Sequence, residues 1–153
     1  MDVPKSRGNG HELLADDEWQ SWNAVLMLNR LVLRELDSEL RANHRLAVTD
    51  FDVLITLYNS PGKRLRMSEL ADRVMLSPAG ATHLVTRLER DGHVRREVDA
   101  DDGRKWFTVL TAHGDATLRA ARRTHNDVLR RTILAVTTPA DRNVLRRLRD
   151  RMG

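Results

Sequence analysis

A mainly α-helical fold carrying one small β-hairpin is what this sequence predicts, and three observations carry that expectation. Between Met67 and Leu110 a short helical pattern, a tight turn, a longer helical pattern and two extended runs around an Asp-Gly turn follow without interruption. That block is flanked by stretches whose apolar residues recur every three or four positions, the spacing of a helix face. Aromatic residues make up only 4% of the chain, while Ala, Leu, Val and Arg dominate, which favours helices over a β-sandwich. The central order is that of a winged helix-turn-helix, framed by N- and C-terminal helices.

The elements follow in order. Residues 1–15 are rich in Pro, Gly, Ser and Asn and are expected to be a disordered lead-in; residues 16–153 are expected to form a single domain. A first long helix is predicted over 17–42. Asp16, Asp17 and Glu18 place negative charge at its start, and Trp22, Val25, Leu26, Val32, Leu33, Leu36 and Leu40 line one face. Leu28 and Leu31 widen the apolar surface beyond one stripe, so the helix needs more than one packing partner. A second subunit would supply one; burial between two other helices of the same chain would do equally well.

Thr49-Asp50-Phe51-Asp52 resembles a capping box and is expected to open the next helix, which Asn59-Ser60-Pro61-Gly62 ends. Leu65 lies in a short Arg-Leu-Arg connection suited to pairing with the hairpin. A short helix is expected from Ser68 to Met75. The next is the most sharply bounded: Ser77 is a good N-cap, Pro78 occupies the first helical position, and Gly92 supplies a left-handed stop. Ala81, Leu84, Val85 and Leu88 form its buried face.

Val94 to Val98 and Trp106 to Leu110 have the β-branched and aromatic character of strands, and the charged run from Asp99 to Lys105 forms the hairpin tip. Thr111 is expected to cap a second long helix reaching about Val136. Thr138-Pro139-Ala140-Asp141 opens a last helix that ends near Arg151. The reader module therefore spans 48–111, between flanking helices in 16–47 and 112–152.

Several function classes drop out. With 153 residues and no cysteine, disulfides, thiolate metal sites and cysteine redox sensing are absent. No apolar run is long enough to span a membrane, and no signal-type segment opens the chain, so a cytoplasmic protein is expected. The six histidines are scattered, with no closely spaced pair, and neither a nucleophile elbow nor a phosphate loop is present. No enzyme activity, metal or cofactor is expected. Residues 111–153 carry 10 basic against 4 acidic side chains, which suits a polyanionic partner or an ordinary solvated Arg-rich surface.

The helix from Ser77 carries side chains able to read DNA. Ser77 and Thr82 can bond phosphates or bases, Pro78 and Ala79 can touch a thymine methyl, and Thr86 flanks them. His83 can donate or accept, and Arg87 would read a base or clamp a phosphate. Ser68 begins the first helix of the pair, where backbone N–H groups face a phosphate. Arg104 and Lys105 put cations on a protruding hairpin suited to a minor groove, with Asp102 near enough to orient Arg104. The alternatives are a non-DNA-binding protein-interaction module and a metal-responsive regulator of the same fold.

These residues resemble the multiple antibiotic resistance regulator (MarR) family of bacterial transcription factors. The likeness runs from about Trp22 to Leu148 and is sharpest in FDVLITLYNSPGKRLRMSELADRV, LSPAGATHLVTRLERDGHV and the wing DADDGRKWFTVLTAHG. The family's wing pattern falls on Asp99, Asp102, Arg104, Val109, Leu110, Thr111 and His113-Gly114, with one shift among the strand residues. The resemblance implies a sequence-specific DNA-binding regulator, a homodimer with interlocked terminal helices, and double-stranded DNA with a pseudo-palindromic operator. Repression relieved by a small aromatic or phenolic effector is the mode it favours. The matching ligand region holds Trp19, Trp22, Met27, Arg30, Phe51, Tyr58 and His125, of which Trp22, Arg30, Phe51 and Tyr58 are the candidates for binding. The chain departs from close relatives at Pro78 and His83, where arginines are common, so a relative's operator preference does not transfer.

Overall fold

A computed structural model of the protein describes residues 14–99, 102–103, 105–153. Seven helices and three short strands follow in the order α1 (Asp16–His44), α2 (Val48–Tyr58), β1 (Arg64–Arg66), α3 (Met67–Arg73), α4 (Pro78–Arg90), β2 (Val94–Val98), β3 (Trp106–Leu110), α5 (Ala112–Arg131), α6 (Ile133–Val136) and α7 (Pro139–Met152). A single tight turn, Pro61–Lys63, joins α2 to β1. The strands form one antiparallel sheet in the order β1-β3-β2. Leu65 sits opposite Thr108, and Val94 opposite Leu110. The Arg-Leu-Arg connection is thus a true strand.

The helix boundaries follow from caps. Ser77 Oγ accepts from the Gly80 amide at 3.1 Å, Thr111 Oγ1 from Gly114 at 2.9 Å and Thr138 Oγ1 from Asp141 at 3.2 Å. Each satisfies an amide that the first helical turn leaves without an intrahelical partner. Three expectations change. The second helix opens at Val48, not Thr49: Asp50 reaches back to the Ala47 amide at 2.8 Å, so the carboxylate at the third helical position sets the start with no hydroxyl at the cap. The short helix opens one residue early, at Met67, because Glu69 accepts from the Arg66 amide at 3.1 Å. The helix expected to reach Val136 breaks at Thr132, whose φ of −106° and ψ of −101° leave the helical basin. Its hydroxyl bonds the Val128 carbonyl at 2.7 Å, a local competitor of the helical ladder.

The core lies where α2, α3, α4 and the base of the sheet close on α5 and the C-terminal end of α1. Leu40, Leu54, Leu57, Leu70, Val85, Leu88, Leu118 and Val128 are all but fully buried. The face of α4 expected to be buried, Ala81, Leu84, Val85 and Leu88, is the buried one. In α1, by contrast, only Leu36 and Leu40 are buried. Trp22, Val25, Leu28 and Leu31 stay exposed, so the wide apolar surface of this helix is not covered by other helices of the same chain. In α7 no residue is buried, although Val144, Leu145 and Leu148 share a face. No helix among the described residues is long and apolar enough to cross a membrane.

Candidate nucleic-acid interface

One residue explains how the reader helix is fastened to its scaffold. Gly92, at φ 78°, turns the chain sharply after α4, and the carbonyl of His93 then lies against the first turn of α5. Thr111 donates to that carbonyl through its amide (3.1 Å), and its hydroxyl lies within reach of the carbonyls of Gly92 (2.7 Å) and His93 (3.0 Å). A Cβ at Gly114 would meet the same oxygen at 2.1 Å, so only glycine allows this approach. The end of the reader helix and the start of α5 are bolted together here.

The exposed face of α4 carries most of the expected readers. Ser77, Pro78, Ala79, Thr82, His83 and Thr86 are all exposed, as is Ser68 at the start of α3. Their local bonds separate them. Thr82 Oγ1 donates to the Pro78 carbonyl at 2.8 Å and Thr86 Oγ1 to the Thr82 carbonyl at 2.9 Å, leaving lone pairs for a donor. In Thr86 that lone pair is taken by Arg96 Nη2 at 2.8 Å. Glu89, one turn on, accepts from the Arg96 backbone amide at 3.2 Å and faces its guanidinium at 3.5 Å. Arg96 lies on β2, so these bonds tie the reader helix to the hairpin. Spacing along the chain did not reveal this link; only the fold brings residues 86, 89 and 96 together.

Arg87 takes a partner within the chain. Its guanidinium turns inward and pairs with Asp50 at the start of α2, a carboxylate whose side chain is 6% exposed while that of Arg87 is 36% exposed. The sequence offered Arg87 a base or a phosphate but could not show the partner it takes inside the chain.

The hairpin tip is held by charge. Arg66 pairs with the buried Asp99 at 2.5 Å, and Lys105 with Asp102 at 3.1 Å. The Asp99 amide donates to the Lys105 carbonyl at 2.9 Å, closing the loop. Arg104, expected at this tip, lies outside the described residues. Phe107 fills the other face of the sheet beneath the guanidinium groups of Arg64 and Arg66, 4.6 and 5.6 Å from the ring centre.

The candidate effector residues do not converge. Trp22 and Arg30 stand exposed on the N-terminal half of α1. Phe51 is buried and stacked on His125 at 4.5 Å, which makes it a core residue. Tyr58 sits under Lys63 and Arg122, 4.8 and 5.6 Å from its ring. A histidine pair that the sequence hid does form: His93 and His113, twenty positions apart, stack at 4.9 Å beside a cavity of about 530 Å³ that His44, Arg45, Asp91 and Thr117 complete. The His93 Nδ1 is buried with no partner among the described residues, and burial together with His113 pushes this imidazole below the ordinary histidine value. No group of three or more histidine or carboxylate side chains among the described residues is arranged to hold a metal ion.

Comparison with known proteins agrees with this geometry. A family model described as MarR family matches residues 46–105, from the end of the α1–α2 connection to the hairpin tip. The chain is 35% identical to AbsC, a MarR family transcriptional regulator from Streptomyces coelicolor. That likeness covers 90% of this chain and 92% of AbsC, with a TM-score of 0.84. It is 29% identical to Sco3205 from the same organism, a MarR family transcriptional regulator solved in complex with DNA, over 95% of this chain and 91% of that one, with a TM-score of 0.88. Among curated proteins, the HTH-type transcriptional repressor YetL of Bacillus subtilis (strain 168) is 36% identical over 50% of this chain and 46% of its own length. The chain matches only about half the length, or less, of such curated relatives. The match to AbsC runs through the flanking helices as well as the reader, and with it the chain belongs to the MarR family of DNA-binding transcriptional regulators.

Proposed function

We propose that the chain works as a homodimeric repressor whose two winged modules occupy the halves of a pseudo-palindromic operator and release it when a small aromatic or phenolic ligand binds. The observation that carries this reading is the pair of uncovered apolar faces at the two ends of the chain. Trp22, Val25, Leu28 and Leu31 line one in α1, and Val144, Leu145 and Leu148 the other in α7. Apolar faces of this extent are stabilised by covering one another across a two-fold axis, which fixes the spacing of two reader helices. Residues 16–47 and 112–152 are then dimerisation helices, and 48–111 the reader.

On this reading Ser77, Pro78, Ala79, Thr82 and His83 meet the major groove, Ser68 meets a phosphate, and Lys105 and Arg104 reach the minor groove, with Asp102 orienting the tip. Repression is supported by the curated name of YetL. An effector site drawing on Trp22 and Arg30 needs the second subunit to complete it, because one chain leaves both on an open helix surface.

Selection of bound duplexes from a randomised library tests the operator and the dimer together. An inverted repeat with centres about one helical turn apart, or a multiple of it, is expected. A single asymmetric site, with a monomer in sedimentation, would reject the dimer. Loss of the selected complex on adding simple aromatic acids or phenols is the expected effector response; a complex indifferent to all of them would leave a constitutive binder.

A further inference from the structure

The sheet face that forms part of the core continues beyond it and comes out bare. Side chains alternate along a strand, so Leu110, Thr108 and Trp106 share one face of β3, and their partners Val94, Arg96 and Val98 share it on β2. At the base, Leu110 and Val94 are buried. In the middle, Thr108 is buried and bonds the Met67 sulfur at 3.0 Å, while Arg96 turns to the reader helix. At the outer end, Trp106 and Val98 face each other across the strands and remain 47% and 49% exposed. Two grooves meet at Trp106. One, about 500 Å³, runs between the hairpin and α4 and is lined by Met67, Thr82, Glu89 and Arg96. The other, about 330 Å³, is lined by Arg66, Met67, Ser68 and Lys105.

A helix in the major groove and a hairpin in the next minor groove have one sugar–phosphate strand between them, by the geometry of B-form DNA. The gap between α4 and the hairpin is where Trp106 stands. We propose that Trp106, backed by Val98, is the apolar wall against which the deoxyriboses of that strand pack, with its phosphates on the Arg66, Ser68 and Lys105 side. The charges fit. Arg66 and Lys105 line the second groove, each braced by a hairpin carboxylate, Asp99 and Asp102, while in the first groove Glu89 is paired with Arg96. An indole covers a sugar edge without reading a base, so the contact strengthens binding evenly across sequences.

This inference rests on the DNA-interface reading above, and the test separates the two. The chain is labelled with fluorotryptophan, its Trp106 resonance is assigned by its loss in Trp106→Phe, and a duplex selected by the unmodified chain is added. The Trp106 signal is expected to shift and broaden. Trp106→Ala should weaken binding roughly tenfold, with Trp106→Phe restoring most of it and the salt dependence unchanged. Lys105→Ala should instead flatten the salt dependence by about one unit of slope. A Trp106 signal indifferent to DNA, or full affinity in a folded Trp106→Ala chain, overturns the role of Trp106. If Lys105→Ala also binds with unchanged slope, the hairpin interface itself fails.

Discussion

The Asp50–Arg87 pair offers the sharpest test of how the reader is held. Asp50 does two things: it accepts the Ala47 amide at the start of α2 and pairs with Arg87 of α4. Asp50→Ala removes both. Loss of the cap bond costs about 1 kcal/mol. An arginine left facing an emptied, mostly buried carboxylate site costs up to about 3–5 kcal/mol when fully enclosed. Because Arg87 is about one-third exposed, water recovers part of that, and about 1–3 kcal/mol is the reasonable share.

The total, about 2–4 kcal/mol, should lower the melting temperature by roughly 5–12 °C for a chain of this length. Arg87→Met should cost about 1–3 kcal/mol, and the double variant less than the two together, by about 1–2 kcal/mol of coupling. Urea unfolding followed by circular dichroism reads all three. The DNA measurement decides the role. An inward-facing Arg87 gives a variant whose salt slope of DNA binding is unchanged. If Arg87→Met keeps full stability and lowers that slope by about one, Arg87 is a phosphate clamp and the inward pairing is not its working state.

Other perturbations probe the remaining joints. Gly114→Ala drives a methyl into the His93 carbonyl at 2.1 Å; an unfolded or strongly destabilised chain is expected, and a melting temperature within a degree or two of the parent would contradict the bolted junction. Burial first, and His113 next, favour neutral His93 in the folded chain, so the unfolded chain takes up this proton first. Stability from this group is therefore full above about pH 6.5 and declines as pH falls through the lower folded value. In His93→Gln, unfolding measured across that window should show a flatter decline. Arg96→Met frees Thr86 and Glu89, so amide hydrogen exchange in β2 should quicken while the core of α5 keeps its protection; equal protection in β2 would deny the link.

The sequence by itself determined the order and bounds of most elements, because those depend on near neighbours. Ser77, Pro78 and Gly92 bound α4 through bonds and φ preferences within a few residues, and the three-and-four spacing of Ala81, Leu84, Val85 and Leu88 marks the face that is buried. The hairpin was legible for the same reason, since alternation and the Asp-Gly turn are local. The local rules erred where two groups compete for the same cap, as at Thr49 and Asp50, or where a threonine hydroxyl competes with the helical ladder, as at Thr132.

Only the tertiary structure decided what the charged and aromatic side chains are used for. Arg87 is a reader or a brace according to whether Asp50, 37 positions away, is within reach. Phe51 became core because His125 stacks on it from α5, and His93 met His113 only when the end of α4 closed on the start of α5. Long flexible side chains choose partners by distance in space, which a linear pattern does not contain. The apolar residues of α1 and α7 make the same point: their periodicity announced buried faces, but the folded chain leaves them uncovered.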